Sequence, residues 1–327
     1  MSITNFPYGV FATPNIGGAR LADMWNTENI FFVDGDNGLA GNGGQSPDDS
    51  ADIPSTAVAL ASRGATIYVR PRTTAASAQS YYLDNIVVPI TKPQIAIIGC
   101  AQDRDRPYLG PAVKTTVAGA ATSVLIVKAA GFLTEGMEWT GTSQTGDISV
   151  IYAANDGTLS LSSGLTVRNC TIRNVKGHAA TTGGGIHFET PIFSKVQNCL
   201  FKDNLNSIMF RSTSAAINSL IIEGCIFSGI NTGRDTDIYS NADSGYGLVI
   251  NNCQFNDNLP SHGTNKFIAL SAGIAGIISN CRFAYTSATA DALLAASGTI
   301  GNVPTTVLTV NCMVEQTVEG QASVITR

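Results

Sequence analysis

Short apolar runs alternate along this chain with Gly, Asn, Asp, Ser and Thr, and in the second half they fall into one repeating frame. VRNCTI, VQNCLF, IEGCIF, INNCQF, ISNCRF and TVNCMV place Cys170, Cys199, Cys225, Cys253, Cys281 and Cys312 at intervals of 29, 26, 28, 28 and 31 residues. A recurrence of that length is the mark of a solenoid. In five of the six segments an aliphatic residue stands three before the Cys (Val167, Val196, Ile222, Ile250, Ile278), and Ile172, Phe201, Phe227, Phe255 or Phe283 stands two after it. The frame reads as strand, bend, strand. The residue before the Cys is Asn at positions 169, 198, 252, 280 and 311, and Asn tolerates the left-handed backbone a sharp corner needs. Stacked coils would align these amides into a ladder, broken once by Gly224.

Each coil carries a further strand: GIHFET (185–190), SIMFRS (207–212), DIYSN (237–241), FIALS (267–271) and DALLAA (291–296). Alternation along a strand points Ile186, Phe188, Ile208, Phe210, Ile238, Ile268 and Leu270 inward, and His187, Met209, Tyr239 and Ala269 outward. Several short strands per coil predict a parallel β-helix, not a propeller or sandwich. The first half suits the same winding through runs at 65–71, 85–89, 94–100, 123–139 and 148–155, for about nine coils at ~4.8 Å each. STAVALASRG (55–64) is the best helix candidate and would cap the open N-terminal end. LTVNC at the last repeat reads as a frame that has lost one residue. Residues 1–30 carry Phe6, Pro7, Tyr8, Phe11 and Trp25 without a period and read as an extended attachment arm. The expected organisation is an arm (1–30), a linker with a capping helix (31–64) and an all-β solenoid (65–327).

Composition narrows the function. Only 13% of residues are charged and the formal net charge is −5, which argues against nucleic acid as the main partner. The start MSITNFPYGVF lacks a signal-peptide pattern and no apolar run is long enough for a membrane span, so a soluble product of the cytoplasm is expected. Seven cysteines without a C-x-x-C pair read as free thiols stacked in the core, and no cofactor is expected.

The coil pattern NNCQF, the segment FFVDGDNGLAGNGGQSPDD (31–49) and the strand TIYVRP resemble the pectin-lyase-like superfamily of right-handed β-helices, and in particular β-helical virion proteins of tailed bacteriophages. The start ITNFPYGV is similar to phage structural proteins. What the resemblance implies is a right-handed parallel β-helix on a virus particle, often trimeric, acting as a capsid decoration, head fibre or tailspike. Its implied partners are other virion proteins, its own copies in a homotrimer, and host-surface polysaccharide.

Polysaccharide-cleaving members of that superfamily use clustered Asp residues or a calcium-and-Arg arrangement, and a glycosidase needs two carboxyls about 5–10 Å apart. The candidate catalytic residues are Asp235, Asp237 and Glu189, with Asp203 and Asp257 near in coil register. The superfamily's paired-Asp, Gly-His-Gly and Arg-Ile-Lys signatures do not occur, which favours a non-enzymatic virion protein over a tailspike-like glycosidase or lyase. A third reading is a glycan-binding adhesin in which outward His187 beside Tyr239 stacks on sugar rings. His178 and His262 lie apart from other ligand types, and DGDNG (34–38) lacks the positions of a calcium loop, so no metal site is expected and DGDNG reads as turns. DRDRP (103–107) reads as a solvated or intersubunit loop.

Overall fold

A computed structural model of the chain describes residues 29–72, 81–100, 110–115, 122–141, 148–154, 163–175, 184–210, 217–229, 236–240, 244–257, 266–285, 301–316 and 322–325. Among the described residues, three sheets of ten, ten and eight strands run side by side. The first extends from Ile30–Val33 to Val307–Val310, the second from Tyr81–Leu83 to Ala322–Ile325, and the third from Ile86–Val88 to Gly301–Asn302. From Thr66–Val69 to Cys312–Gln316 the chain visits first, second and third sheet in turn, and each strand pairs in parallel with its counterpart one coil away. Eight coils are complete in three strands, forming the parallel β-helix expected from the repeat.

Rows of identical or similar side chains hold the coils together. The inward row of the first sheet runs Phe31, Ile67, Ile97, Thr134, Val167, Val196, Ile222, Ile250, Ile278, Thr309, all buried. That of the second sheet contains Trp139, Ile172, Phe201, Phe227, Phe255 and Phe283 in register. The four phenylalanine rings stack face on face at 4.9, 4.6 and 4.8 Å between centroids. Such aromatic pairs add roughly 0.5–1.5 kcal/mol each beyond area burial. In the third sheet Ile186, Ile208, Ile238 and Ile268 align as the alternation predicted, and the row extends back through Ile151, Leu125 and Ile86.

The corner between first and second sheets is built by the Asn-Cys frame. Asn169, Asn198, Asn252, Asn280 and Asn311 all have φ between 51° and 54°. The thiol of each following Cys is buried, unoxidised and directed at the carbonyl two residues back, at 3.2–3.5 Å. From Cys199 onward the same sulfur also lies 3.6–3.8 Å from a carbonyl of the preceding coil, so the thiol column bridges coils. Of the expected amide ladder, Asn311 donates directly to Asn280 at 2.8 Å, whereas Asn169 donates to Glu135 and Asn280 to Asn251. The corner network is therefore shared with the residue preceding each Asn. Gly224 keeps the left-handed bend at φ 63°, and a Cβ there would meet the Asn198 amide oxygen at 2.3 Å, which is why the ladder skips it. One earlier coil uses Gly136-Met137 in place of Asn-Cys, with Gly136 at φ 65° and Met137 fully buried.

Three expectations are corrected. The last repeat keeps its full frame, because Thr309 pairs with Ile278 and Val314 with Phe283. Ile30–Val33, in the segment expected as linker, is the edge strand of the first sheet. The helix spans Pro54–Leu60, one residue earlier and shorter than 55–64, because Pro54 fits the first helical turn and Gly64 turns the chain at φ 77°. It buries Ala57 and Val58 on the first coil. Asp84 accepts the Ser55 amide at its N-terminus at 2.7 Å, and Lys92 donates to the Val58 carbonyl near its C-terminus at 2.8 Å. At the other end Ala322–Ile325 reverses and pairs antiparallel with Cys312–Gln316. DGDNG forms turns, as read from sequence: Asp34 accepts the Asp36 and Asn37 amides and Arg70. DALLAA, DRDRP and the arm residues Phe6, Pro7, Tyr8, Phe11 and Trp25 lie outside the described residues.

Candidate functional site

The outward row of the third sheet carries the residues that alternation turned away from the core: Tyr152, His187, Met209, Tyr239 and Ala269 occupy it in consecutive coils. Being on the outer side of the strand does not leave them open. His187 is 2% exposed and Met209 is fully buried, so neither presents a surface to solvent. Met209 also separates His187 from Tyr239, and the ring beside His187 is Tyr152, at 5.1 Å between centroids and 36°. The expected His187–Tyr239 platform is thus not formed as a pair. Tyr152 was missed because coil lengths in the first half do not follow the Cys frame.

The candidate carboxylates are spread over this face. Tyr152 donates its hydroxyl to Glu189 at 2.9 Å, just past the end of Ile186–Phe188. Asp237 is buried near the start of Thr236–Ser240 and accepts from the Ser207 hydroxyl at 3.2 Å. In register the two acids stand four strand positions and two coils apart, roughly 16 Å from ~3.3 Å per residue and ~4.8 Å per coil. A glycosidase pair needs about 5–10 Å. Glu189 and Asp237 therefore do not form an acid–base pair, although both are correctly placed on the same sheet. Asp235, His178 and His262 lie outside the described residues.

A second cluster, on the outer face of the second sheet, went unread in the sequence. Arg173 donates to the buried Glu138 at 2.6 Å and to the Tyr81 hydroxyl at 3.1 Å, while the Lys114 ammonium sits 4.7 Å over the Tyr81 ring. Burial, opposed by Arg173, holds the Glu138 carboxyl above its ordinary range. The signal lay in register: Thr171 pairs with Glu138, so Arg173 reaches it on the diagonal. Among the described residues no three His, Cys, Asp or Glu side chains converge as a metal ion would require. No described helix is long and apolar enough to cross a membrane.

No family model matches this sequence, and no curated protein matches it. Solved structures are similar to this one over most of the chain. The deglycosylated pectin methylesterase from Aspergillus niger superposes with a TM-score of 0.50 at 12% identity, over 89% of this chain and 86% of that one. A rhamnogalacturonan lyase gives 0.47 at 12% identity, over 79% and 68%. The Geobacillus virus E2 ORF18 protein gives 0.43 at 14% identity, over 92% of this chain and 64% of that one. At these identities the likeness concerns fold and not activity. The stacked coils, the three parallel sheets and the likeness to the pectin methylesterase structure together show a parallel β-helix fold.

Proposed function

We propose that this chain is a structural protein of a tailed-bacteriophage particle, exposed as a decoration or fibre and held through the arm at residues 1–30. The observation that carries a structural reading over a catalytic one is the use made of its carboxylates. Glu189, Asp237 and Glu138 are each bonded to a side chain from a directly neighbouring coil, and the first two stand too far apart for paired acid–base chemistry. The link to a virus particle comes from the resemblance of ITNFPYGV and the 31–49 segment to phage structural proteins.

Immunoelectron microscopy of particles made from the genome that encodes this chain tests the reading. The expected result is repeated labelling of intact particles, and loss of binding when residues 1–30 are deleted from added protein. Unlabelled particles would overturn it. So would release of reducing ends from host-surface polysaccharide that Asp235→Asn or Asp237→Asn abolishes, which would establish the tailspike-like glycosidase instead.

A further inference from the structure

An Asn followed by Gly is prone to close on itself as a succinimide, because glycine has no Cβ to hinder its amide nitrogen from swinging onto the Asn side-chain carbonyl. The chain carries this pair twice, at Asn37-Gly38 and Asn42-Gly43, and the structure treats the two unequally. At the first, the Gly38 amide donates to the Asp34 carbonyl at 2.7 Å, and a Cβ on Gly38 would meet the Ala51 and Asp34 carbonyl oxygens at 2.3 and 2.5 Å. That peptide plane has no room to rotate, and the Asn37 side chain is itself held by the Asp34 carboxylate at 3.0 Å. At the second, a Cβ on Gly43 would meet one described atom within 4 Å, Oδ2 of Asp49 at 3.0 Å. The same oxygen accepts the Gly43 amide, also at 3.0 Å. The nitrogen of Gly43 therefore faces a carboxylate, which can take its proton, where Gly38 faces a carbonyl, which cannot. The Asn42 side chain is held beside it by donating to the Ser50 carbonyl at 2.9 Å.

We propose that Asn42 is a self-modification site, converted to aspartate and isoaspartate with Asp49 as general base, and that the conversion loosens the cover over the first strand. Asp49 takes the Gly43 amide proton and the freed nitrogen attacks Cγ of Asn42. The Cγ–Nδ2 bond then breaks, and Nδ2 leaves as ammonia with the proton that Asp49 held. Water adds to either carbonyl of the succinimide, giving aspartate or, with Cβ and Cγ of residue 42 drawn into the main chain, isoaspartate. Both products replace a donor by an acceptor oxygen opposite the Ser50 carbonyl and bring a second negative charge near Asp49. Isoaspartate also lengthens the main chain just ahead of Gly44, whose carbonyl accepts the Phe32 amide at 2.7 Å and whose amide donates to the Asp49 carbonyl at 2.8 Å. Those bonds, with that from the Ala51 amide to the Phe32 carbonyl at 2.9 Å, cover the outer edge of Ile30–Val33. An edge strand closed when the chain folds is thus uncovered as the protein ages. The reaction consumes only water and does not depend on the virion reading.

Peptide mapping by mass spectrometry of the full chain, aged at neutral pH, is the test. Folded protein is expected to convert Asn42 about tenfold faster than Asn37 or more, whereas the chain unfolded in urea should convert the two at similar rates. Asp49→Asn should slow conversion of Asn42 by about tenfold, less than the ~100-fold of an enclosed catalytic base, because Asp49 is open to water. If the bond to Asp49 instead protects the amide, Asp49→Asn will speed the reaction, and that result or an unchanged rate overturns the proposal. Equal rates at Asn37 and Asn42 in the folded wild type overturn it without any variant. Asn42→Asp installs the charge directly and should speed hydrogen exchange at the Phe32 amide by about tenfold while the solenoid stays folded. Unaltered exchange at Phe32, both in that variant and in aged wild type, overturns the claim that the cover loosens.

Discussion

Two threonines occupy the otherwise apolar inward row of the first sheet, and the same substitution at each should change stability in opposite directions. Thr134 accepts the Trp139 indole N–H at 3.2 Å, whereas the Thr309 hydroxyl is buried without a hydrogen-bond partner. An unsatisfied buried hydroxyl costs about 1–3 kcal/mol, and valine has the same shape without it. Thr309→Val should therefore stabilise the chain by about 1–2 kcal/mol. Thr134→Val should destabilise it by about 1–3 kcal/mol, because the indole N–H of fully buried Trp139 is then orphaned. At about 2.1 cal/mol/K per residue, the 327 residues give an unfolding entropy near 0.7 kcal/mol/K, so Thr309→Val should raise Tm by about 2 °C. Solenoid coils interact only with neighbours, so the gain should be largest locally. Hydrogen exchange at Asn280, whose amide donates to the Val310 carbonyl at 3.1 Å, should slow about tenfold for each ~1.4 kcal/mol gained. Calorimetry and exchange on both variants decide the matter. If Thr309→Val destabilises, or if both substitutions shift stability the same way, hydrogen-bond satisfaction is not what distinguishes the two sites.

All six column thiols are buried against the reagent, so native protein should resist alkylation at every one of these positions until unfolded. Mass-spectrometric counting of adducts checks this, and rapid native labelling of the column would contradict it. Phe255→Ala removes the middle of the ring stack and should cost about 3–5 kcal/mol in denaturant unfolding, whereas a loss below 1 kcal/mol would mean the column collapses around the gap. Burial raises the Asp34 carboxyl, but hydrogen bonds from Asn37, the Asp36 amide and Arg70 outweigh it and leave it below 3.8. Its unfolded form therefore binds a proton first, and its stabilisation is present above pH 3.8 and lost as pH falls through the folded value. Asp34→Asn should flatten that acid limb relative to wild type, and parallel profiles for the two proteins would refute the assignment.

What the sequence made legible is what repetition exposes. The cysteine interval fixes where coils begin, and alternation then assigns Ile186, Ile208, Ile238 and Ile268 to one inward row. Legibility failed where the chemistry of a position changed but its geometry did not. Gly136-Met137 fills one Asn-Cys corner, and Thr309 and Val314 take the inward positions on either side of the last corner, with other residue types. The candidate site was harder to read for a different reason. Alternation tells on which side of a strand a residue sits, and nothing about whether that side is covered, so His187 and Met209 were taken as exposed when both are buried. Register between distant coils, which pairs Tyr152 with His187 and brings Arg173 to Glu138, depends on loop lengths that no local motif reports.

The bend between first and second sheets always takes two residues where the Cys frame sits inside it, from Asn169-Cys170 to Asn280-Cys281, so the differing repeat lengths must be absorbed elsewhere. The chain length between a strand of the second sheet and the next strand of the third varies most, from three residues between Lys202 and Asn206 to fifteen between Tyr285 and Gly301. One edge of the molecule thus behaves as a fixed spine, while another accepts insertions of unequal size without disturbing the rows beneath. A peptide grafted into successive connections of that kind would be displayed as a linear series at a pitch of ~4.8 Å per coil, a spacing set by backbone pairing and independent of what is grafted. New recognition surfaces can therefore arise along that edge by changes in loop length alone, at no cost to the stacked interior.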